Sequence, residues 1–457
     1  MELAGFKSTP PIKMNTLLIS ENYPFATSWD KRKPNKTKWA KEVKNIFSSS
    51  FSGKNISLYI HLPFCEALCT YCCFEPIISK NHAVENRYIE YLIKEWRMYL
   101  NLFQEKPTIK QLHIGGGTPT FFSLENIEKM LLEIKSTSFI TSNAELSFEM
   151  HINHTNKEHL ALFRKYGFNT IVMGLQDFDP HVQEILKRRQ KIEDVLELTK
   201  QARFMGYETL CVDLLYGLPH QTRSSIIDTI YKIRQIKPER INWTEYIHMP
   251  EVNAAQLSFQ NLLPFPSEKE IFYTLGKEMI IESGYTEIGN NHFVLKNSKV
   301  YNEYKIGHLH YNYIGFNFSN TKLCIGIGAR AATDTFTMLS RNCMKTEDYY
   351  YSIDNNEFPI EKTHYFTKER LLLRKHLLNL MCKGKTKIAN QNDAKLFNKN
   401  ILQTIEKMED EKWLDLKTNE IKIRKKGIKN ISKLYSILLQ SFEENKTLSE
   451  NTTLKLV

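Results

Sequence analysis

The stretch that decides the fold and chemistry of this chain is Tyr59-Ile-His-Leu-Pro-Phe-Cys65-Glu-Ala-Leu-Cys69-Thr-Tyr-Cys72-Cys73. Its cysteines are spaced Cys-x-x-x-Cys-x-x-Cys and come directly after a predicted strand at 57–62. Three thiolates on one loop can hold three corners of an iron–sulfur cubane and leave the fourth iron without a protein ligand. We therefore predict an iron–sulfur cluster whose open iron is a reaction site.

Other uses of the cysteines remain alternatives, namely a zinc site or buried structural thiols. Zinc normally needs a second Cys or His pair about 12 to 20 residues further on, and the residues after Cys73 supply none. We interpret Cys73 as a neighbour of the cluster and not a ligand, because adjacent residues of an extended chain point apart. The remaining cysteines are scattered, which suits a reducing compartment better than a disulfide framework: Cys211, Cys324, Cys343 and Cys382.

A second motif, His113-Ile-Gly115-Gly116-Gly117-Thr118-Pro119-Thr120, follows a predicted strand at 111–114. Glycine lets the backbone approach a ligand closely. Three glycines alone indicate a tight turn about as often as a site. One strand–helix unit after the cysteines, they favour a binding site beside the cluster.

The middle of the chain alternates predicted strands with amphipathic segments of helical period, one of them opened by a capping-box pair, Thr155 and Glu158. Such alternation predicts a parallel sheet with right-handed crossovers. We predict an α/β fold, a partial (β/α)6 barrel. The predicted strands lie at 57–62, 111–114, 145–150, 170–176, 209–215 and 240–248.

Four regions are predicted along the chain. Residues 1–55 form a lead segment in which pairs such as Pro10-Pro11 discourage long helices. Residues 56–250 form the barrel core, and 251–366 a turn-rich region that covers the substrate side. Residues 367–457 form a mostly helical, winged-helix-like domain with a hairpin, Trp413-Leu-Asp-Leu followed by Glu420-Ile-Lys-Ile.

Composition predicts a globular protein. The chain has 457 residues, 42% hydrophobic and 25% charged, with a net charge of +11. Residues 1–20 lack a secretory apolar stretch, and no run approaches the roughly 18 apolar residues that span a bilayer. We therefore expect a cytoplasmic protein without a membrane partner. The positive charge is consistent with a solvated basic face, an anionic substrate or nucleic acid.

Polar residues fall near the carboxyl ends of later predicted strands, where parallel sheets place their active sites. Glu149 ends the third strand, Gln176 ends the fourth, and Asp213 lies in the fifth. Arg188 is predicted on the helix after the fourth strand. Each alone is equally consistent with a hydrogen-bonded buried polar group, but together they would line one mouth.

A cysteine motif with an aromatic residue, Tyr71, before its last cysteine resembles that of the radical S-adenosylmethionine (SAM) superfamily. Further motifs follow in order and resemble the oxygen-independent coproporphyrinogen III oxidase family from about Tyr23 to the C-terminal module. They are Ser147-Phe-Glu149-Met, Met173-Gly-Leu-Gln176-Asp-Phe178, Lys187-Arg188-Arg-Gln190, Asp213-Leu-Leu-Tyr-Gly-Leu-Pro219-His-Gln-Thr222 and Tyr246-Ile-His-Met-Pro250.

This resemblance implies a [4Fe–4S] cluster on Cys65, Cys69 and Cys72, with SAM on the open iron and a second SAM nearby. It implies removal of two propionate carboxyls of coproporphyrinogen III to give vinyl groups. It also implies a monomer, a tetrapyrrole substrate, a low-potential electron donor such as flavodoxin or ferredoxin, and an unidentified acceptor. The implied SAM-binding residues are Tyr59, Tyr71, Gly116, Gly117, Thr118, Glu149, Gln176, Arg188 and Asp213.

Rival functions remain at this point. The haem-chaperone relatives are disfavoured, because Leu309-His310-Tyr-Asn312-Tyr-Ile-Gly315-Phe316 is closer to the oxidase pattern. The haem ring-opening relatives keep the cysteine motif and stay open. A protein of another class, binding nucleic acid around a structural cluster, would explain the charge but not the ordered motifs. The chain departs from the oxidase pattern at Asn22-Tyr23-Pro24, Cys73-Phe74 and Asn291-His292-Phe293.

Overall fold

The computed structural model describes residues 33–49, 53–289, 291–388, 399–417 and 419–428. They belong to two units, one of Lys33–Lys362 and one that includes the described residues from Thr363 onward. Most of the predicted lead segment, with Asn22-Tyr23-Pro24, and the end of the predicted C-terminal domain lie outside the described residues. No helix of the described part is long and apolar enough to cross a bilayer.

The strands, numbered along the chain, are β1 (Asn55–Leu62), β2 (Phe64–Cys65), β3 (Ile77–Ile78), β4 (Thr108–Gly116), β5 (Phe139–Met150), β6 (Thr170–Gln176), β7 (Thr209–Tyr216), β8 (Arg240–Glu245), β9 (Tyr285–Gly289), β10 (His292–Leu295), β11 (His310–Asn312), β12 (Gly315–Asn317), β13 (Cys324–Ile327), β14 (Ala332–Asp334), β15 (Met338–Asn342), β16 (Ile360–Tyr365), β17 (Lys385–Lys387), β18 (Leu414–Lys417) and β19 (Glu420–Ile423).

The α-helices are α1 (Lys36–Ser48), α2 (Val84–Phe103), α3 (Leu124–Thr137), α4 (Lys157–Lys165), α5 (Pro180–Leu186), α6 (Ile192–Phe204), α7 (Arg223–Ile236), α8 (Pro266–Glu282), α9 (Lys299–Lys305), α10 (Thr346–Asp354), α11 (Lys368–Lys383), α12 (Lys399–Asp410) and α13 (Lys425–Ile428). The 3-10 helices are Pro119–Phe121, Ile152–His154 and Ala254–Leu262.

One 12-stranded sheet has the order β16-β15-β14-β13-β1-β4-β5-β6-β7-β8-β10-β9. Strands β1 and β4 to β8 run parallel, because each connection between them contains at least one helix, as parallel pairing requires. Their side chains are buried on both faces, so they read as nearly continuous apolar runs. The predicted α/β barrel core is confirmed, although the sixth strand ends at Glu245 and not at 248.

The register of these strands places the candidate residues at one edge of the sheet. Leu62, the last residue of β1, pairs with Gly116 at the end of β4. Glu149 lies at the end of β5 and Gln176 at the end of β6, and Asp213 pairs with Gly174 two residues before that end. Because the strands are parallel, their carboxyl ends share one mouth.

A buried carboxylate ties α2 to the far side of the sheet. Glu95 is fully buried and accepts hydrogen bonds from the Gly328 amide at 2.7 Å, the Tyr349 hydroxyl at 2.7 Å and the Asn342 amide at 2.8 Å. Burial raises the pKa of Glu95 to about 7 against the opposing effect of these donors. One side chain therefore links four separate segments of the unit.

The helix after β5 begins differently from the sequence prediction. Asn156, not Thr155, is its N-cap, accepting from the His159 amide at 3.0 Å, while the Thr155 hydroxyl donates to the His151 carbonyl at 2.9 Å. The capping-box prediction of Thr155 with Glu158 is wrong by one residue, because Asn caps helices at least as well as Thr.

The unit from Thr363 onward contains a three-stranded antiparallel sheet with the order β17-β19-β18. Leu414 of β18 pairs with Ile423 of β19, which confirms the predicted hairpin. The helices α11, α12 and α13 lie in the same unit. Helices combined with a short hairpin match the predicted mostly helical, winged-helix-like part of the fold.

Candidate active site

The three motif cysteines lie on one loop that leaves the sheet at Cys65 and returns at Ile77. The short strands β2 and β3 pair in parallel at the base of this loop, and the Ile77 amide donates to the Pro63 carbonyl at 2.8 Å. Cys65, Cys69 and Cys72 are free and partly exposed. The loop therefore presents its thiols together at the carboxyl ends of the strands.

Polar groups from two other segments touch these thiols. The Cys65 sulfur lies 3.4 Å from Thr118 Oγ1 in the glycine loop, residues 115–118. Arg188 Nη1 donates to the Cys69 sulfur at 3.6 Å. Burial raises the pKa of Cys65 to about 11 and that of Cys72 to about 12, and neighbouring thiols add to both shifts. Bound metal cations would favour the thiolates that burial disfavours.

The donor set fits a cluster better than a single ion. Among the described residues, no three Cys, His, Asp or Glu side chains are arranged to hold one metal ion. In a cubane each thiolate binds a different iron, so the thiols do not need to converge on one point. Cys73 lies near Tyr246 and adds to the raised pKa of that phenol, which results mainly from burial.

The glycine loop is pressed against the strand that leads into the cysteines. Gly116 has φ +115, and a Cβ there would lie 2.7 Å from the His61 ring; a Cβ on Gly117 would lie 2.5 Å from the Phe64 carbonyl oxygen. The Gly117 amide donates to the Leu62 carbonyl at 2.8 Å. These glycines are therefore required by contacts within the chain, apart from any ligand.

Glu149 is held by the glycine loop and by a histidine. Its carboxylate accepts from the Gly116 amide at 3.2 Å and lies 3.2 Å from His113 Nε2. Burial raises the pKa of Glu149, but the hydrogen bond with His113 and the Gly116 amide outweigh it and hold the pKa below its ordinary value. An ionised carboxylate suits a cationic amino group.

Tyr59 lies near the Glu149 carboxylate and contacts three other rings, those of His61, His113 and Tyr313. Its hydroxyl lies 2.8 Å from His61 Nδ1, and its ring stacks on that of His113 with centroids 5.9 Å apart. Tyr313, at the tip of the β11–β12 hairpin, meets Tyr59 edge-on at 5.8 Å. Sequence analysis missed His61, His113 and Tyr313, although the histidines lie within the two quoted motifs.

Arg188, Gln176 and Tyr71 form a second group. Arg188 donates from Nε and Nη2 to the Gly174 carbonyl at 2.9 and 2.6 Å, and the Tyr71 hydroxyl lies within hydrogen-bonding reach of the Gln176 side chain. The Gln176 oxygen Oε1 is buried, and none of the described residues is its partner. The prediction that Arg188 lies on a helix is wrong: α5 ends at Leu186, because Lys187 adopts a left-handed conformation with φ +52.

Asp213 faces the same mouth from β7. It accepts from Asn242 Nδ2 on β8 at 2.5 Å, and burial raises its pKa to about 6. Both Glu149 and Arg188 are near enough to affect that pKa. The structure therefore brings together all of the residues predicted from sequence: the thiols, the glycine loop, Tyr59 and Tyr71, and the polar residues of β5 to β7.

The fold and this motif set define the class of the protein. The model of the Radical SAM superfamily matches residues 59–233, from β1 into α7. The chain is therefore a radical SAM enzyme, and its cofactors are a [4Fe–4S] cluster and SAM.

Similarity to full-length proteins identifies a family within the radical SAM enzymes. The chain is 30% identical over 345 residues to the oxygen-independent coproporphyrinogen III oxidase of Helicobacter pylori strain J99, covering 74% of this chain and 75% of that one. It is 28% identical over 344 residues to the enzyme of Pseudomonas aeruginosa, covering 75% of each. The chain belongs to the oxygen-independent coproporphyrinogen III oxidase family.

The fold agrees with a solved structure. Coproporphyrinogen III oxidase from Escherichia coli superposes with a TM-score of 0.83 and 24% sequence identity, covering 92% of this chain and 98% of that one. At this sequence identity the match shows a shared fold. Because it covers 92% of this chain, the shared fold includes more than the barrel core.

Proposed function

We propose that this chain catalyses the SAM-dependent, oxygen-independent oxidative decarboxylation of two propionates of coproporphyrinogen III, giving protoporphyrinogen IX in haem biosynthesis. The observation that carries the proposal is the family relationship over three quarters of the chain, at 30% identity. The site supports radical SAM chemistry, because two other loops contact the proposed cluster ligands: Arg188 contacts Cys69 and Thr118 contacts Cys65.

We assign the cluster to Cys65, Cys69 and Cys72. SAM is assigned to the mouth that these thiols share with the glycine loop. There the Glu149 carboxylate offers an acceptor for an amino group, and Asp213 and Gln176 offer hydrogen-bonding groups. Residues proposed to contact SAM are Tyr59, Tyr71, Gly116, Gly117, Thr118, Glu149, Gln176, Arg188 and Asp213.

When bound, the cluster and SAM supply a radical that abstracts a hydrogen atom. For each propionate that hydrogen atom would come from the β-carbon, and loss of carbon dioxide and of one electron to an acceptor would leave a vinyl group. The protein's contribution is to hold that carbon in line and to exclude water, which is positioning work. The buried positions of Gln176 and Arg188 suit such a water-poor mouth.

The proposal includes the finer expectations about partners. The substrate is a tetrapyrrole, the donor is a low-potential protein such as flavodoxin or ferredoxin, and a separate acceptor takes the last electron. A second SAM serves the second propionate. We place a monomeric enzyme in the cytoplasm, supported by eight free cysteines, among them Cys211 and Cys324 in the core.

The test is anaerobic reconstitution of the full chain with iron, sulfide, SAM and reductant, followed by coproporphyrinogen III and cell extract as the source of acceptor. We expect 5′-deoxyadenosine and a product that has lost two carboxyl groups by mass. Cys69→Ser should abolish both, and Cys343→Ser, a partly exposed cysteine elsewhere, should change neither. Release of 5′-deoxyadenosine with consumption of haem and not coproporphyrinogen contradicts the proposal, as does tight haem binding without 5′-deoxyadenosine.

A further inference from the structure

The carbonyl groups of the cysteine loop have donors far away in the sequence. All four consecutive carbonyls from residue 69 to residue 72 accept hydrogen bonds from the side-chain amides of Asn253 and Gln256, at the start of the Ala254–Leu262 helix. Asn253 Nδ2, whose two hydrogens are shared among three acceptors, lies 3.3 Å from Cys69 O, 3.0 Å from Thr70 O and 3.1 Å from Cys72 O. Gln256 Nε2 donates to Tyr71 O at 3.4 Å.

The orientation of both amides is settled by their oxygens. Asn253 Oδ1 accepts from the Ala255 amide at 3.1 Å, and Gln256 Oε1 accepts from the Met249 amide at 2.5 Å. Main-chain amides only donate and carbonyls only accept, so a flipped side chain would lose bonds on both sides. Asn253 is 6% exposed and Gln256 is fully buried, so water does not readily replace these donors.

The opposite side of the loop is anchored to the segment after β6. The Thr70 amide donates to the Leu186 carbonyl at 3.2 Å, and the Thr70 hydroxyl donates to the Ile185 carbonyl at 2.7 Å. In a trans peptide the carbonyl and the following N–H point in opposite directions. The peptide unit between Cys69 and Thr70 is therefore hydrogen-bonded at both of its edges, through its carbonyl to Asn253 and through its N–H to Leu186.

We propose that Asn253, assisted by Gln256, is a positioning residue for the cluster. Its amide fixes the peptide units that carry Cys69 and Cys72, so it controls how firmly the cluster is retained and which electronic environment the loop gives it. Hydrogen bonding around cluster ligands is one of the means by which proteins tune iron–sulfur centres. This inference rests on the proposed ligation by Cys65, Cys69 and Cys72, and it does not depend on the substrate.

The test compares Asn253→Asp with Asn253→Ala and a matched control. Aspartate keeps the oxygen that caps the helix but replaces the donor with an anionic acceptor facing three carbonyls. Asn156→Asp makes the same chemical change at an exposed N-cap that uses only its oxygen. In the reconstituted full chain, without SAM or porphyrinogen, we expect iron loss to a chelator about tenfold faster in Asn253→Ala and faster still in Asn253→Asp. The control should match the wild type.

A spectroscopic measurement separates positioning from general folding. The electron paramagnetic resonance spectrum of the reduced cluster should shift in Asn253→Ala and in Gln256→Ala, while the thermal unfolding midpoint of the cluster-free protein falls by only the few degrees expected from losing an N-cap or buried hydrogen bonds. Wild-type iron loss and spectra in both variants would overturn the proposal, and so would a cluster-free midpoint that falls in step with cluster loss. If the wild type itself takes up no cluster, the proposed function fails instead.

Discussion

Single residues on the cysteine loop differ in what surrounds their thiols. Cys65 and Cys69 each contact a polar side chain from another loop, Thr118 and Arg188. Cys73 lies near Tyr246 as well as near Cys72. The polar contacts of Cys65 and Cys69 with other loops therefore distinguish these two thiols, and the proposed choice of Cys72 over Cys73 as the third ligand is tested by substitution.

Replacing any one of Cys65, Cys69 and Cys72 with Ala should remove the broad absorbance near 400 nm of the reconstituted protein, because each change leaves an iron without its thiolate. Cys73→Ala should keep the absorbance. The measurement is iron content with the absorption spectrum after anaerobic reconstitution. Loss of the cluster in Cys73→Ala together with its retention in Cys72→Ala would show that the third ligand is misassigned.

Gly116→Ala should lower the free energy of unfolding by about 1 to 3 kcal/mol, because it places an L residue at φ +115. It should also displace His61 and weaken SAM binding. Gly315→Ala is the matched control, with φ +124 and nothing within 4 Å of a Cβ. Urea unfolding and SAM titration should show the larger loss in Gly116→Ala; equal losses in both would mean that the contact with His61 is unimportant.

Spacing along the sequence was enough to select Cys65 and Glu149, whose side chains the structure places at the same end of the parallel strands. It could not find Asn253 or Gln256, because their partners are main-chain carbonyls that any sequence supplies. Their separation of 181 to 185 residues from those partners also leaves no local pattern. Arg188 was found, but its helix was not, since the left-handed Lys187 that ends α5 is not marked by glycine.

Among the elements, the six parallel strands β1 and β4 to β8 were predicted well because their apolar runs are buried on both faces, whereas the other six strands of the same sheet, β9, β10 and β13 to β16, were not predicted. Helix starts were harder, since more than one residue near the start of α4 can cap it. Thr155 and Asn156 are both good caps, and the structure uses the second. When two neighbouring residues could serve as the N-cap, their other contacts determine which one does. Here the Thr155 hydroxyl already donates to the His151 carbonyl and lies 3.0 Å from the Thr120 hydroxyl, so Asn156 caps the helix.

Asn156→Ala should therefore reduce the free energy of unfolding by about 1 kcal/mol, the usual effect of losing an N-cap side chain. Glu158→Ala, which would matter if Thr155 and Glu158 formed the capping box, should cost only a few tenths. Chemical denaturation of both variants gives the comparison. A Glu158→Ala effect as large as that of Asn156→Ala would restore the capping box expected from sequence.

At the level of the whole molecule, buried carboxyl groups couple stability to pH. Burial raises the pKa of Glu95 to about 7, of Asp334 to about 7 and of Asp177 to about 6. Between the ordinary carboxyl pKa and these raised values, the native state keeps protons that the unfolded state has lost. Stability due to these groups is therefore complete below about pH 4, falls as pH rises to about 7, and is constant above.

Glu95→Gln should flatten this decline between about pH 4.5 and 7, by on the order of 3 kcal/mol, since the amide does not titrate. It should also lower stability at pH 4 somewhat, because the Gln amide has two N–H donors where the protonated carboxyl has one, and the three neighbouring groups are themselves donors. The measurement is the free energy of unfolding across that pH range. Glu90→Gln, an exposed glutamate on the same helix, serves as control; an unchanged slope in Glu95→Gln would assign the pH dependence elsewhere.

The hydrogen bonds from Asn253 and Gln256 to the cysteine loop also set an order of events during synthesis. A nascent chain that has just released the first strand already carries every thiol ligand, but the donors to its carbonyls are made 181 to 185 residues later. Until the ribosome has passed residue 256, the loop lacks the side-chain donors to these four carbonyls, although Cys69 O can already accept from the Cys72 amide. If Asn253 and Gln256 position the cluster as proposed, stable metal loading follows synthesis of the six parallel strands β1 and β4 to β8, so factors that deliver iron and sulfide meet a chain of at least 256 residues.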